Sequence, residues 1–492
     1  MVGLWYGRGG DQRGGVGVDG RSDLAGMPLT VLVRTMDNKC AAATLWGVDD
    51  LQKRPKELET NSMISTQNPV KGSIRPCDID RRPLLPQRFA MRNGKIVNYF
   101  ADNSVGLVKM DFIFEAGTSL QDRPLQAAAA INLVTEGTRS RSAREIAEFF
   151  DFRGIIVEKS NDEVSSTLTV YAAPRYMDEL VPLLYELLHE PAYDEAELEV
   201  FVARQRQKLM VNLQRTSYVA RKRWCECVYG SGHPLGRFAV PSDFDGLSAA
   251  EVRDYHRRWL TPSRMDIVLG GAVSEAVLAA LDRSFGGDAV EAVERTVLPQ
   301  VRPQAPGLQR VVVADAVQAS LRVGRLLPLR WDDRSYAEFM VLSVALGGYF
   351  GSRLMSNIRE DKGYTYGINA MTHIDRGSLD FFVVTDVAAD KADAALEEIW
   401  NEMQRLRNEP IMSDELELVR TCMLGDFMRS VDGVFERSER FCQQMTSGVD
   451  ERFTDNYMSV LEPGAVSGSR LQQLAFDLLD PSAMVAVNAG PK

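Results

Sequence analysis

Apolar positions along this chain follow two periods, and from about residue 96 onward they alternate in a fixed order. Residues 96–100 and 108–114 are short runs of β-branched and aromatic residues and predict strands. Residues 124–133 and 142–152 carry apolar side chains at helical spacing, whereas 164–171 alternates with period two, like a strand with one buried face. Met177, Leu180, Leu183, Leu184, Leu187 and Leu188 line one face of a predicted helix over 174–189. Ser142 and Glu145 have the spacing of a capping box, and Gly154 can take the left-handed conformation that closes the helix behind them. Residues 320–327, 336–345, 379–385 and 390–406 then repeat the order strand, helix, strand, helix.

The repetition extends to the letters. Leu187-Leu188-His189-Glu190-Pro191 followed by Asp194-Glu195 resembles Leu406-Arg407-Asn408-Glu409-Pro410 followed by Asp414-Glu415, at an offset of 219 to 220 residues. A duplication of that length predicts an α+β protein of two homologous domains, residues 88–290 and 308–492, each a mainly antiparallel sheet packed with helices. Pro299, Pro303 and Pro306 mark a linker over 291–307, and Pro69, Pro76, Pro83 and Pro86 an extended lead-in over 63–87. Residues 1–62 are rich in Gly, Arg and Asp without a sustained period, and read as an extension or a misassigned start, with Met63 as the natural beginning.

Composition narrows the function. Apolar residues make up 45% and charged residues 25%, values of an ordinary globular protein with cores to bury. The net charge of -11, without a basic stripe, argues against nucleic acid and anionic membrane as partners. No apolar run is long enough to span a bilayer or serve as a signal segment, so a soluble, cytoplasmic protein is expected. Six cysteines without disulfide-framework spacing fit a reducing compartment, and the thiols of Cys225 and Cys227 would point about 200° apart on a helix, as structural residues.

Glu115-Ala116-Gly117-Thr118, Glu136-Gly137-Thr138, Ser142-Ala143-Arg144-Glu145-Ile146 and Gly230-Ser231-Gly232-His233-Pro234-Leu235-Gly236 lie in order in the first half. In the second half come Gly347-Gly348-Tyr349-Phe350-Gly351-Ser352-Arg353-Leu354 and Ile358-Arg359-Glu360-Asp361-Lys362-Gly363-Tyr364-Thr365-Tyr366. Over about residues 88–490 this order resembles the insulinase/pitrilysin-type metallopeptidase family, the inverzincins. The resemblance implies duplicated domains that form half of a peptide-enclosing chamber.

That family's chemistry rests on H-x-x-E-H, two imidazoles on one helix face that hold zinc and a Glu that activates water. Counted back from Glu136-Gly137-Thr138, the motif falls on Ala128-Ala129-Ala130-Ile131-Asn132. Ala128 and Ile131 carry no donor atom, and Asn132 is a poor substitute for imidazole. The stretch between Glu199 and Glu226, where the family's further Glu ligand falls, contains no acid. His189, His233, His256 and His373 are never at helical ligand spacing, leaving only a site assembled from distant histidines as a formal alternative. No metal is therefore expected in this chain.

The resemblance also implies an Arg and a Tyr that reach a zinc site from the opposite domain, and Arg359 and Tyr366 have that spacing. Arg supplies a fixed fork of donors for carbonyls, and a neutral phenol can donate to a developing oxyanion. Taken alone, the pair reads as a helix-face ion pair and a packed strand residue, and it is the resemblance that favours the functional reading; Tyr364 is a rival phenol expected to share a face with Tyr366. The implied function is a non-catalytic subunit of a heterodimeric metallopeptidase. It would lend chamber wall, peptide-binding surface and the Arg359/Tyr366 pair to a zinc-bearing homologous partner, with 164–171 pairing peptide as an edge strand. The alternatives are a structural subunit without a role in proteolysis, as in respiratory-complex core proteins, and an independent enzyme of other chemistry, for which no motif speaks.

Overall fold

The computed structural model describes residues 75–79, 84–301 and 306–492 and, among the first 73, only the backbone of two short strands. Those are β1 (Leu32–Arg34) and β2 (Cys40–Ala42), paired antiparallel. The rest of the segment read as an extension, and most of the lead-in, lie outside the described residues.

The first half builds β3 (Gln87–Ala90), β4 (Ile96–Ala101), β5 (Val108–Phe114), β6 (Ile156–Asn161), β7 (Ser166–Ala172) and β8 (Met265–Gly271). They form a six-stranded sheet ordered β3-β4-β8-β5-β7-β6, parallel only between β4 and β8. Its helices are α1 (Gln126–Asn132), α2 (Ala143–Arg153), α3 (Met177–His189), α4 (Glu195–Asn212), α5 (Thr216–Tyr229), α6 (Ala249–Trp259) and α7 (Glu275–Phe285). The second half builds β9 (Gly307–Val312), β10 (Gln318–Leu326), β11 (Thr365–Asp375), β12 (Ser378–Ala388) and β13 (Val485–Gly490), ordered β11-β12-β10-β13-β9 and parallel only between β13 and β9. Its helices are α8 (Arg334–Gly347), α9 (Ala392–Asn408), α10 (Ser413–Arg429), α11 (Val434–Ser447), α12 (Glu451–Val460) and α13 (Gly468–Leu478). The α+β reading of two mainly antiparallel sheets packed with helices holds.

Local chemistry explains the elements. Ser142 accepts from the Glu145 amide while the Glu145 carboxylate accepts from the Ser142 amide, so both orphan donors at the start of α2 are satisfied. Gly154, at φ 63°, ends the helix in a conformation that other residues adopt at a cost. β5 is buried on both faces and β7 alternates, in keeping with their sequences.

One expectation is corrected here. The alternating strand at 164–171 is not an edge: β7 pairs with β5 on one side and β6 on the other, so the edge on that side of the sheet belongs to β6, opposite the edge at β3. Period-two alternation reports one buried face and carries no information about hydrogen-bonding neighbours.

The two halves exchange helices. α5 packs on β10 and β13 of the second sheet, with Trp224 edge-on to Phe382 at 5.5 Å. α11 lies across β8 and β4 of the first sheet, where Phe441 meets Phe100 at 5.9 Å and Phe435 meets Tyr171 at 6.0 Å. Gly270 permits this approach, because a Cβ there would stand 2.9 Å from the Ser438 hydroxyl. Beneath α11, Lys109 and Asp111 form a buried ion pair at 2.9 Å, and Thr169 donates to the same carboxylate at 2.7 Å. Such a pair is costly to break from one side, since the remaining charge would be buried alone.

Candidate functional site

Arg359 sits in a π-helical stretch, Met355–Asp361, that follows α8. Leu354 and Ile358 anchor this stretch in the second core. Its polar side is tied to α9 and α10: Asn357 donates to Glu398 at 3.1 Å and Glu402 at 2.7 Å, Lys362 pairs with Glu398 at 2.9 Å, and Arg353 makes a fork with Glu415 at 2.8 and 2.9 Å. Widened turns of this kind recur at functional sites. The Arg359 guanidinium lies over the Phe350 ring at 4.5 Å, and its Nη1 is buried without a hydrogen-bond partner. Phe350 itself is 62% exposed.

From Arg359 the chain turns at Gly363, φ 64°, and enters β11, an edge strand of the second sheet. Thr365 pairs with Val387 and Ile368 with Thr385, so β11 carries one extra residue between these positions. The Thr365 hydroxyl stitches this bulge, bonding the Asp386 carbonyl at 2.7 Å and the Gly367 carbonyl at 2.9 Å. Tyr366 lies in the bulge and is 94% exposed. Tyr364, expected to share its face, instead packs against the second core, with its amide held by the Ile358 carbonyl at 3.0 Å. The bulge breaks the alternation that would have aligned the two phenols.

The counterpart of the zinc motif lies on α1. Ile131 is fully buried, Ala128 packs against the first core, and the Asn132 amide donates back to the Ala128 carbonyl at 2.8 Å. This donor set does not fit a zinc ion, which needs three protein ligands aimed at one point. Among the described residues no cluster of three or more His, Cys, Asp or Glu could hold a metal. The pole of α1 is instead engaged by Lys159 of β6, which donates to the Asn132 carbonyl at 3.1 Å and the Thr135 hydroxyl at 2.6 Å and pairs with Glu136 at 3.7 Å. Burial lowers the Lys159 pKa, with Glu136 acting in the opposite sense.

His233, His256 and Cys225 take buried or half-buried places. His233 bonds the Pro299 carbonyl at 2.9 Å and accepts the Leu235 amide at 3.1 Å. Burial pushes the His256 pKa down to about 4 and the Cys225 thiol up to about 11. His373, half exposed, faces Asp375 at 3.5 Å and Asp380 at 3.7 Å, and Asp380 also accepts from the Tyr229 hydroxyl of α5. Burial works against the His373 imidazolium, but the Asp380 hydrogen bond and the two carboxylate charges together lift it to about 9. Phe350 and Lys159 were not singled out from sequence. An aromatic in a glycine-rich turn and a lysine in a strand look like turn and solvated-face residues until their partners are placed.

Two helix-packed sheets, with Arg359 in the π-helical stretch and Tyr366 in the β11 bulge of the second half, have the layout of peptidase M16 folds. The family described as "Peptidase M16 inactive domain" matches residues 246–422. The chain is 27% identical over 315 residues to "Uncharacterized zinc protease YmxG" of Bacillus subtilis (strain 168), an alignment covering 62% of this chain and 74% of that protein. It is 23% identical over 274 residues to "Non-peptidase homolog YmxG" of Helicobacter pylori (strain ATCC 700392 / 26695), covering 53% and 62% respectively. In fold it superposes on the crystal structure of a peptidase M16 inactive domain from Pseudomonas fluorescens with a TM-score of 0.72 at 19% identity, covering 83% of this chain and 98% of that one. By that match and these relatives the chain is similar to insulinase/pitrilysin-type M16 proteins, and its sequence carries no H-x-x-E-H motif. No helix among the described residues is long and apolar enough to cross a membrane.

Proposed function

We propose that this chain is the non-catalytic subunit of a two-chain insulinase-type zinc metallopeptidase, in which a homologous partner holds the metal. This subunit supplies one wall of the chamber, the free edge of β6 as a surface for extended peptide, and the Arg359/Tyr366 pair to the partner's zinc site. The observation that carries the reading is the state of that pair. Tyr366 is 94% exposed, and Arg359 keeps a buried Nη1 without a partner over an exposed ring. A phenol in solvent and a guanidinium nitrogen without an acceptor make no hydrogen bond inside this chain, and they are the donors an acyl-transfer oxyanion and a peptide carbonyl need.

The test is purification from the native source followed by reconstitution. A zinc-bearing homologue should co-purify, and mixing the two chains should produce peptidase activity that neither shows alone. A chain that purifies with other partners, or a homologue fully active by itself, would favour the scaffold role and end this proposal.

A further inference from the structure

The pole of α1 is altered in a way that loss of zinc ligands does not by itself explain. A helix C-terminus presents carbonyl oxygens without intrahelical partners and carries partial negative charge, so it attracts a cation. Here the cation comes from the chain. Lys159 projects from the edge strand β6, its side chain mostly buried, with three N–H donors facing three acceptors: the Asn132 carbonyl, the Thr135 hydroxyl and the Glu136 carboxylate. Asn132 is the last position of the motif counterpart, so the ammonium is bonded to the residue whose imidazole would have held metal. Asn132 completes the arrangement by turning its amide onto the Ala128 carbonyl, the other imidazole position.

We infer that Lys159 is the resident cation of this site, and that it closes α1 to divalent metal even when ligands are restored. A divalent ion bound at positions 128 and 132 would share the end of α1 with a poorly solvated positive charge already bonded to the Asn132 carbonyl, and the two charges repel. The site has been converted into an ammonium-capped helix end, and its integrity now depends on that charge. The inference rests on the geometry of α1 and β6 and is independent of the roles of Arg359 and Tyr366.

The experiment installs the pair of imidazoles that a helix face uses for metal, Ala128→His with Asn132→His, in the full chain, with and without Lys159→Gln. Nickel ion is the probe, titrated calorimetrically, with circular dichroism confirming that each variant is folded. Lys159→Gln removes the charge and leaves a shorter side chain with an amide donor; Lys159→Met, close to lysine in length and without a donor, serves as a second neutral variant. Nickel should bind at least tenfold more tightly once the charge is gone. In the natural sequence, Lys159→Gln alone should lower the melting temperature by a few degrees. Equal nickel affinity with and without Lys159, including equal failure to bind, would overturn the inference.

Discussion

Removing one oxygen from Tyr366 separates a working phenol from an ornamental one. The side chain buries almost nothing, so Tyr366→Phe should leave folding and assembly unchanged. If it donates to the oxyanion of a partner's site, turnover of the mixed complex should fall by about 10² to 10³. Arg359→Ala should raise KM as well as slow turnover, because it weakens ground-state holding of the peptide. It should also loosen Phe350, over which the guanidinium lies at 4.5 Å. Tyr364→Phe is the matched control and should be mild, since that ring packs in the core. Full activity of both Tyr366→Phe and Arg359→Ala in steady-state assays would show that neither residue acts in the site. Arg359 and Tyr366 could be named from their spacing. The exposure that gives Tyr366 its meaning could not, because it depends on a bulge defined by the register of β11 against β12.

Among the elements, α2 is readable to its ends: Ser142, Glu145 and Gly154 act through neighbours four residues away or closer, and local chemistry of that range is written in the letters. Ser142→Ala should therefore cost about 1 kcal/mol in chemical denaturation, with an unchanged m-value. Strand order is another matter. β7 reads as a good candidate for an edge, yet β6 holds that place, because β7 is flanked by its hairpin neighbour β6 on one side and by β5, a strand far earlier in the chain, on the other. Hydrogen exchange can check the consequence for peptide binding. In the mixed complex, an extended peptide should slow exchange within β6 and leave β7, already paired on both sides, unchanged. Protection appearing elsewhere would remove β6 from the binding surface. Lys159 belongs to the same lesson: in the run Ile156-Val157-Glu158-Lys159 it looks like a solvated charge, and only the packing of β6 against α1 brings it to the Asn132 carbonyl.

Across the whole molecule, the exchange of α5 and α11 joins two duplicated halves into one body, and it brings the tip of β11 and β12 against the first half. There Arg376 meets the buried Glu115 carboxylate, and His373, Asp375, Asp380 and Tyr229 crowd together. This cluster should make stability depend on pH. Burial lifts the Asp375 carboxyl to about 6, against His373, which lowers it; Glu163, Asp380 and Asp162 act with burial. A carboxyl whose folded pKa is raised gives stability below its unfolded value, about 4, and loses it as pH rises through 6. His373, raised to about 9, contributes fully below about 6.5 and loses that contribution as pH rises through 9. Melting temperatures should thus decline between pH 6.5 and 9, and His373→Gln should flatten that decline; an unchanged slope would show that the imidazole does not titrate there. The sequence by itself determined the α+β class, the duplication, the run of most strands and helices, and the absence of imidazole at 128 and 132. Each of these follows from periodicity, from capping over a few residues, or from the chemistry of a named side chain. Tertiary structure alone decided the free edge at β6, the exchanged helices, the exposure of Tyr366 and the lysine at the end of α1. Those depend on contacts between residues far apart in the chain, whose partners the order of letters does not specify until the sheets have closed.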